Sequence, residues 1–582
     1  MTPASLTRLA LVGAASVSLI GLAVGPASAT SSHHPSGHQS HQQPSHHHPE
    51  PKTVPVRLLS INDFHGNLEA PTGSSGRITD ETGTQVDAGG AAYLATHLKQ
   101  MRNKNSVVVA AGDLIGASPL ISAAYHDEPT VALLDKLGLA TSAVGNHEFD
   151  EGIDELNRIM KGGCHPVDGC SPAGTWKGSS FDYLAANVLK EKNDDYALAP
   201  YYVKKINGVK VGFIGLVTQT TPTIVTAAGI KGLKFTEEVA AANKVSRLLA
   251  RQGVKAQVVL MHEGDQVAPN QSPDACPNTP GAGTRIAQGL DAQVDLVISG
   301  HSHQAYICKT KDPAGRDRYF TQGSSFGRVI TQIDFQVDKK TDDIVRSSVV
   351  ADNHVVTRTV TPDPEITAFV QTWKDRVSVV ANKPIGSITA DIGRGSTNGG
   401  ESALGDLIAD AQLEATKEGG NAEIALMNPG GVRADLTFAQ SGSEGNGVVT
   451  YGEAFTVQPF NNLMQAVTLT GAQLDALLEQ QWTAAATRVL QPSATLTYTA
   501  DLTQAFGSRV SGIKVNGVPV TDTQQIRVAA NNFLVGGGDG FSVFTQGTDL
   551  WSGPLDIDAL VTYMGAHSPI APPVTNRLTV IQ

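Results

Sequence analysis

Five times in this 582-residue chain, an apolar run that reads as a buried strand is followed at once by a side chain that can bind a metal ion. VRLLSIN leads to Asp63-Phe64-His65, SVVVAA to Gly112-Asp113, TSAV to Gly145-Asn146-His147-Glu148, QVVL to Met261-His262, and VDLVIS to Gly300-His301-Ser302-His303. Continuous apolar runs mark strands buried on both faces, and in open α/β sheets the ligand crevice lies beyond their carboxyl ends. Helix-period segments such as AAYLATHLKQM, TVALLDKLGL, IDELNRIM and VAAANKVSRLLARQ alternate with the runs. From Val54 to about Val356 the chain is therefore expected to build βαβ units with helices flanking a buried sheet.

Brought together, the five ends supply Asp63, Asp113, Asn146, His65, His262, His301 and His303, a mixture of oxygen and imidazole donors suited to a pair of first-row divalent ions. One carboxylate can bridge two such ions, and a binuclear site lowers the pKa of a bound water and clamps both oxygens of a displacement at phosphorus. Taken singly, an Asp-x-His or Gly-Asp after a strand is more often a turn or a helix cap. The weight lies in the ordered set D-x-H, G-D, G-N-H-E, H and G-H-x-H. With that set the chain resembles the calcineurin-like metallophosphatases. From about Val54 to Leu578 it resembles the secreted 5′-nucleotidase family, which includes periplasmic UDP-sugar hydrolases and animal ecto-5′-nucleotidases.

The resemblance implies an α/β fold: a four-layer calcineurin-like metallophosphatase sandwich, helices flanking two sheets, followed by a smaller α+β 5′-nucleotidase C-terminal domain. It implies one metal on Asp63, His65, Asp113 and His303, and a second on Asp113, Asn146, His262 and His301, the ions being zinc, manganese or similar. The UDP-sugar hydrolases carry an amide where this chain has His303. The family pairs His147 with Asp150 as a catalytic dyad, in which an imidazolium oriented by a carboxylate stabilises phosphoryl charge. Asp150 can alternatively cap a helix starting near Glu151.

Three later stretches, NPGGVR at Asn428–Arg433, QPFNN at Gln458–Asn462 and NFLVGGGDGF at Asn532–Phe541, resemble the family's nucleotide-binding motifs. By motif match Phe460 and Phe533 stack on the base, each stack contributing roughly 1–3 kcal/mol. Asn428 matches a base contact, Asp539 a ribose contact, and Arg433 and Arg394 match phosphate-contacting arginines, whose guanidinium fork suits that task.

The remaining features bound the setting. Residues 1–29, with Arg8, the apolar stretch Leu9–Val24 and Ala27-Ser28-Ala29, read as a secretory signal. Residues 30–53 are mostly Ser, Gln, Pro and His, with seven histidines between His33 and His48, and read as a flexible tether whose histidines could bind metal loosely. Residues 54–356 form the expected metallophosphatase domain, 357–383 a connector helix with hinge candidates, and 384–582 the C-terminal domain. No later run is apolar enough for a membrane span. A formal charge of −12 argues against a nucleic-acid polymer as partner. In an exported chain the four cysteines are expected to bridge as Cys164–Cys170 and Cys276–Cys308.

The expected function is hydrolysis of nucleoside 5′-phosphates. Alternatives on the same site are UDP-sugar or dinucleotide pyrophosphatase and 2′,3′-cyclic-nucleotide phosphodiesterase. An alternative of another class is a metal-scavenging or surface-binding protein.

Overall fold

The computed structural model describes residues 52–225, 227–268, 271–277, 280–397, 399–483 and 486–582. The expected signal segment and nearly all of the His-rich tether lie outside them. The strand Thr53–Ile61 pairs in parallel with Ser106–Ala111, which pairs with Leu139–Ala143 and then Asp182–Leu184. On its other edge Thr53–Ile61 runs antiparallel to the long strand Val329–Asp338. A second sheet has the order Ala305–Lys311, Asp317–Gly323, Leu296–Ser299, Ala256–His262, Val209–Val217 and Tyr201–Ile206, parallel at its centre and antiparallel at both edges.

Side-chain alternation explains the stacking. In Ser106–Ala111, Val107, Val109 and Ala111 face the second sheet, meeting Phe213, Val258, Leu260 and Ile298 in one core. Val108 and Ala110 face the other way, into a core shared with Leu94 and Leu98 of helix Ala91–Met101. The far face of the second sheet is covered by Val245 and Leu249 of helix Glu238–Arg251 and by Ala287 of helix Ala282–Gly289. The result is the four-layer order helix, sheet, sheet, helix, and it explains why the central strands are apolar throughout: both of their faces are dry.

Helix Pro364–Ala381 follows, capped by the Asp363 carboxylate on the N–H groups of Glu365 and Ile366. Its Trp373 packs on Tyr125, ring centroids 5.0 Å apart. Beyond it a five-stranded sheet is built around Ile424–Met427, Gln525–Asn531 and Leu463–Thr470, beside a four-stranded sheet around Leu496–Asp501. Helix Ala403–Lys417 covers the first of these. The helical pattern TGAQLDALLEQQWTAA yields a helix only over Gly471–Glu479, started by a Thr470–Gln473 capping box. Just past its end the Gln481 side chain accepts the N–H of Leu490 and donates to Leu478 O. Both expected disulfides are formed, Cys164–Cys170 and Cys276–Cys308. Among the described residues no helix is long and apolar enough to cross a membrane.

Candidate active site

The parallel strands of both sheets end on the same side, and all seven residues expected to bind metal sit at or just past those ends. His262 closes strand Ala256–His262, while Asp63, His65, Asp113, Asn146, His301 and His303 lie on the loops that follow the other four. The loops are locked to one another. The N–H of Asp63 donates to Gly112 O at 3.0 Å, that of His65 to Asp113 O at 3.0 Å, and that of His301 to the Asp63 carboxylate at 3.0 Å. Asp63, His65, Asp113, His301 and His303 all adopt positive φ, between 45° and 73°. Left-handed backbone at non-glycine residues is costly and clusters at functional sites, where the surroundings over-determine it. Gly112, at φ 86°, lets two strand-end loops meet backbone to backbone, since a Cβ there would stand 2.5 Å from Gly145 N.

Ligand-type atoms of Asp63, His65, Asp113 and His303 lie within 4.8 Å of one another, and so do those of Asp113, His262 and His301. Asp113 belongs to both groups: its Oδ2 is 3.6 Å from His65 Nε2 and 2.9 Å from His262 Nε2. His65 Nδ1 bonds Gly116 O at 2.8 Å and His262 Nδ1 bonds Ala111 O at 2.7 Å, which turns both Nε2 atoms toward the shared carboxylate. Such outer bonds set the tautomer of metal-binding histidines. Asn146 Oδ1 is buried with no hydrogen-bond partner among the described residues. A buried acceptor normally has a partner, so its orphaning beside this convergence fits a cation.

Electrostatics agree with that fit. Burial holds the His65, His301 and His303 imidazoles below their usual basicity, as lone-pair donors. Burial would raise Asp113, but His262, His147 and His65 around it hold it well below the usual carboxylate range. Burial likewise opposes protonation of His262, yet Asp113 outweighs it and lifts the imidazole to about 10. A cation at this point would supply the positive charge that this carboxylate attracts.

His147 Nδ1 lies 2.7 Å from Asp150 Oδ2. Burial depresses this imidazole, but Asp150 and Asp113 overcome it, and the net shift is upward. Asp150 does not cap the start of the following helix: Ile153–Lys161 begins after Gly152, and Asp150 instead ends the single 3-10 turn His147–Phe149. The carboxylate is thereby free to face the ring three residues back.

From the C-terminal half, Phe460 stacks on His147 with centroids 5.7 Å apart and planes 25° apart, and the Arg433 guanidinium lies 5.7 Å from the Phe460 ring. The charge of Arg433 is close enough to oppose protonation of His65, His147 and His303. Arg394 donates to Ser75 Oγ at 3.1 Å, across to the N-terminal half. The other three expected contacts form a separate group: Asn428 Nδ2 donates to Asp539 Oδ2 at 3.1 Å, and Phe533 lies flat on Gly538, where a Cβ would come within 2.5 Å of the ring. Among the described residues no ring contact joins Phe460 to Phe533. The turn Asn428–Arg433 links the groups, because Arg433 donates to Gly430 O at 3.2 Å.

Other residues support the site without having been singled out from sequence. Glu148, buried, accepts the N–H groups of Asp113, Leu114 and Gly145, tying two strand-end loops together. Burial first and then Asp113 push it up to about 7, while its N–H donors pull it down. Asn62 Nδ2 donates to Asp63 Oδ2 at 2.6 Å, and Phe326 sets its ring 5.4 Å from His303 and 5.9 Å from His65. Glu148 closes the G-N-H-E stretch and Asn62 precedes D-x-H, which is the only sequence signal; Phe326 has none. A cavity of about 950 Å³ opens beside His303, and another of about 380 Å³ lies between the halves, with Phe326, Lys374 and Arg433 in its wall.

Residues 56–305 match the model of the calcineurin-like phosphoesterases, and residues 382–546 that of the 5′-nucleotidase C-terminal domain. Cell wall protein Lmo0130 of Listeria monocytogenes is 36% identical over 88% of this chain and 67% of its own length. Endonuclease YhcR of Bacillus subtilis is 31% identical over 89% of this chain, which spans only 40% of that longer protein. The crystal structure of a 5′-nucleotidase precursor from Thermus thermophilus superposes with a TM-score of 0.74 at 26% identity, covering 91% of this chain and 99% of that one. By these matches the chain belongs to the 5′-nucleotidase family that joins a calcineurin-like phosphoesterase domain to a 5′-nucleotidase C-terminal domain, and it is a metal-dependent phosphoester hydrolase.

Proposed function

We propose that this protein is an exported 5′-nucleotidase that releases phosphate from nucleoside 5′-monophosphates, with residues 54–356 and 384–582 as its two domains and 357–383 as the connector. The observation that carries the reading is Asp113, which stands in both candidate metal groups at the point where Phe460 and Arg433 arrive from the C-terminal half. Asp63, His65, Asp113 and His303 would hold one divalent ion, and Asp113, Asn146, His262 and His301 the other, zinc and manganese both suiting the donor set. Bound there, the ions supply a water of lowered pKa and neutralise charge at phosphorus.

The chain's own residues do the rest. Asp150 fixes the His147 ring and keeps its proton to higher pH, so Nε2 can donate to a phosphoryl oxygen or to the leaving 5′-oxygen. Arg433 and Arg394 bind phosphate oxygens, Phe460 and Phe533 take the base, Asp539 the ribose and Asn428 a base edge. Export is supported by the signal-like N-terminus, by the two disulfides and by the kinship with a cell wall protein. The charge of −12 favours small esters over nucleic-acid polymers.

The cavity beside His303 favours a second reading in which larger esters, such as UDP-sugars, dinucleotides or 2′,3′-cyclic nucleotides, are also cleaved. A kcat/KM comparison of AMP, UDP-glucose and 2′,3′-cyclic AMP decides between the readings. AMP should lead, and a lead for either of the others by tenfold or more would replace the first reading with the second.

A further inference from the structure

A second collection of metal-type side chains lies apart from the seven strand-end residues. His126 Nε2 and His165 Nδ1 approach the same oxygen, Asp168 Oδ2, at 3.1 and 3.3 Å, and ligand-type atoms of the three residues lie within 4.8 Å of one another. His126 Nδ1 meets Glu151 Oε2 at 2.7 Å. This is the arrangement in which a carboxylate behind an imidazole sets its tautomer and aims the opposite nitrogen at a metal. The two rings stack, centroids 3.8 Å apart and planes 17° apart. His165 Nδ1 accepts the N–H of Asp168, so that nitrogen presents a lone pair.

The scaffold is rigid. Cys164–Cys170 closes the loop that carries both His165 and Asp168, and His165 and Gly169 exchange backbone hydrogen bonds across it at 2.9 and 3.0 Å. His126 and Asp127 adopt φ of 50° and 59°. Asp127 is held in turn by Ser122 Oγ at 2.6 Å and by the N–H of Gly116 at 3.0 Å. Two successive left-handed residues that are not glycine mark a segment whose surroundings dictate its shape.

We propose that His126, His165 and Asp168 form a third cation site, taking one first-row divalent ion of the zinc class. Two imidazoles and one carboxylate are a zinc-type donor set, with a fourth position left for water. The ion replaces the His126 Nε2 proton and the N–H that Asp168 donates to His165 Nδ1 at 3.1 Å. Asp168 is 65% exposed at its side chain and can move to admit it. Bound there, the ion fastens the disulfide loop to the turn ahead of helix Glu128–Lys136 and holds Glu151, the neighbour of Asp150.

Zinc bound per chain, measured by elemental mass spectrometry after equilibrium dialysis against a zinc buffer, tests this on the full-length chain. Because the tether carries seven further histidines, the readout is a difference between proteins that share the tether. His165→Gln and Asp168→Asn, both on the exposed loop, should each bind about one ion fewer than the parent, and the double variant no fewer than either single. Equal zinc in the parent and in both folded variants overturns the proposal. AMP hydrolysis is not the readout, so failure of the nucleotidase reading leaves this outcome legible.

Discussion

Glu148→Gln is an isosteric change that isolates the bond network behind the site. Oε2 accepts the N–H groups of Asp113, at 2.9 Å, and Gly145, and Oε1 accepts that of Leu114 at 2.8 Å. An amide offers a single acceptor oxygen. Whichever way it turns, either the Leu114 N–H or those of Asp113 and Gly145 face a donor instead. Leaving one buried donor without an acceptor costs about 1–3 kcal/mol, which at 1.4 kcal/mol per decade speeds local amide exchange about 5- to 150-fold. Hydrogen exchange followed by mass spectrometry on peptides spanning residues 112–115 and 145–146 reads this directly. Bound metal should fall in parallel, because Asp113 stands in both groups. Exchange in those peptides within twofold of the parent would refute the reasoning.

His147→Ala should lower kcat about 100- to 10,000-fold with little change in KM, since the imidazole acts on charge that develops in the transition state; equal losses in both constants, measured by steady-state phosphate release, would remove that role. Phe460→Ala should raise KM for AMP by the roughly 1–3 kcal/mol of one base stack. Cys276→Ser with Cys308→Ser opens a loop spanning 32 residues, and thermal melts should show a loss of about 3–4 kcal/mol. Asp406 is buried, with the Arg577 Nε at 3.6 Å, and burial first and then Glu401 lift it to about 9. A carboxyl raised in the folded state contributes stability that is full below its unfolded pKa and is lost as pH rises through the folded value. The melting temperature of the parent should therefore fall from pH 5 toward pH 9 more steeply than that of Asp406→Asn, and parallel profiles would count against the assignment.

The sandwich and its strand-end residues were legible because strands buried on both faces leave continuous apolar runs, and the polar residue that follows each run is placed by the strand itself. Six of the metal-type residues come together for that reason, and Asn146 lies on one of the same loops. Features made by distant chain segments were not legible. Phe326 reaches His65 and His303 only because its N–H is fastened to Asp63 O at 2.7 Å, a pairing between segments far apart in the chain with no periodic signal. The positive φ of His301 and His303 arises from the packing of one strand-end loop on another, since neither residue type demands it. The stacking of Phe460 on His147 depends on how the halves meet, which the motif QPFNN alone does not encode. Asp150 shows the limit of local rules: an acid ahead of a helical pattern also reads as a cap, and only the start of the helix at Ile153 leaves its carboxylate beside His147.

The most direct measurement is phosphate release from AMP by the purified protein, before chelation, after it, and after manganese or zinc is restored. Release should disappear with the metal and return with it. A folded, metal-loaded protein that frees no phosphate from AMP, or one that is as active without metal as with it, would contradict the account.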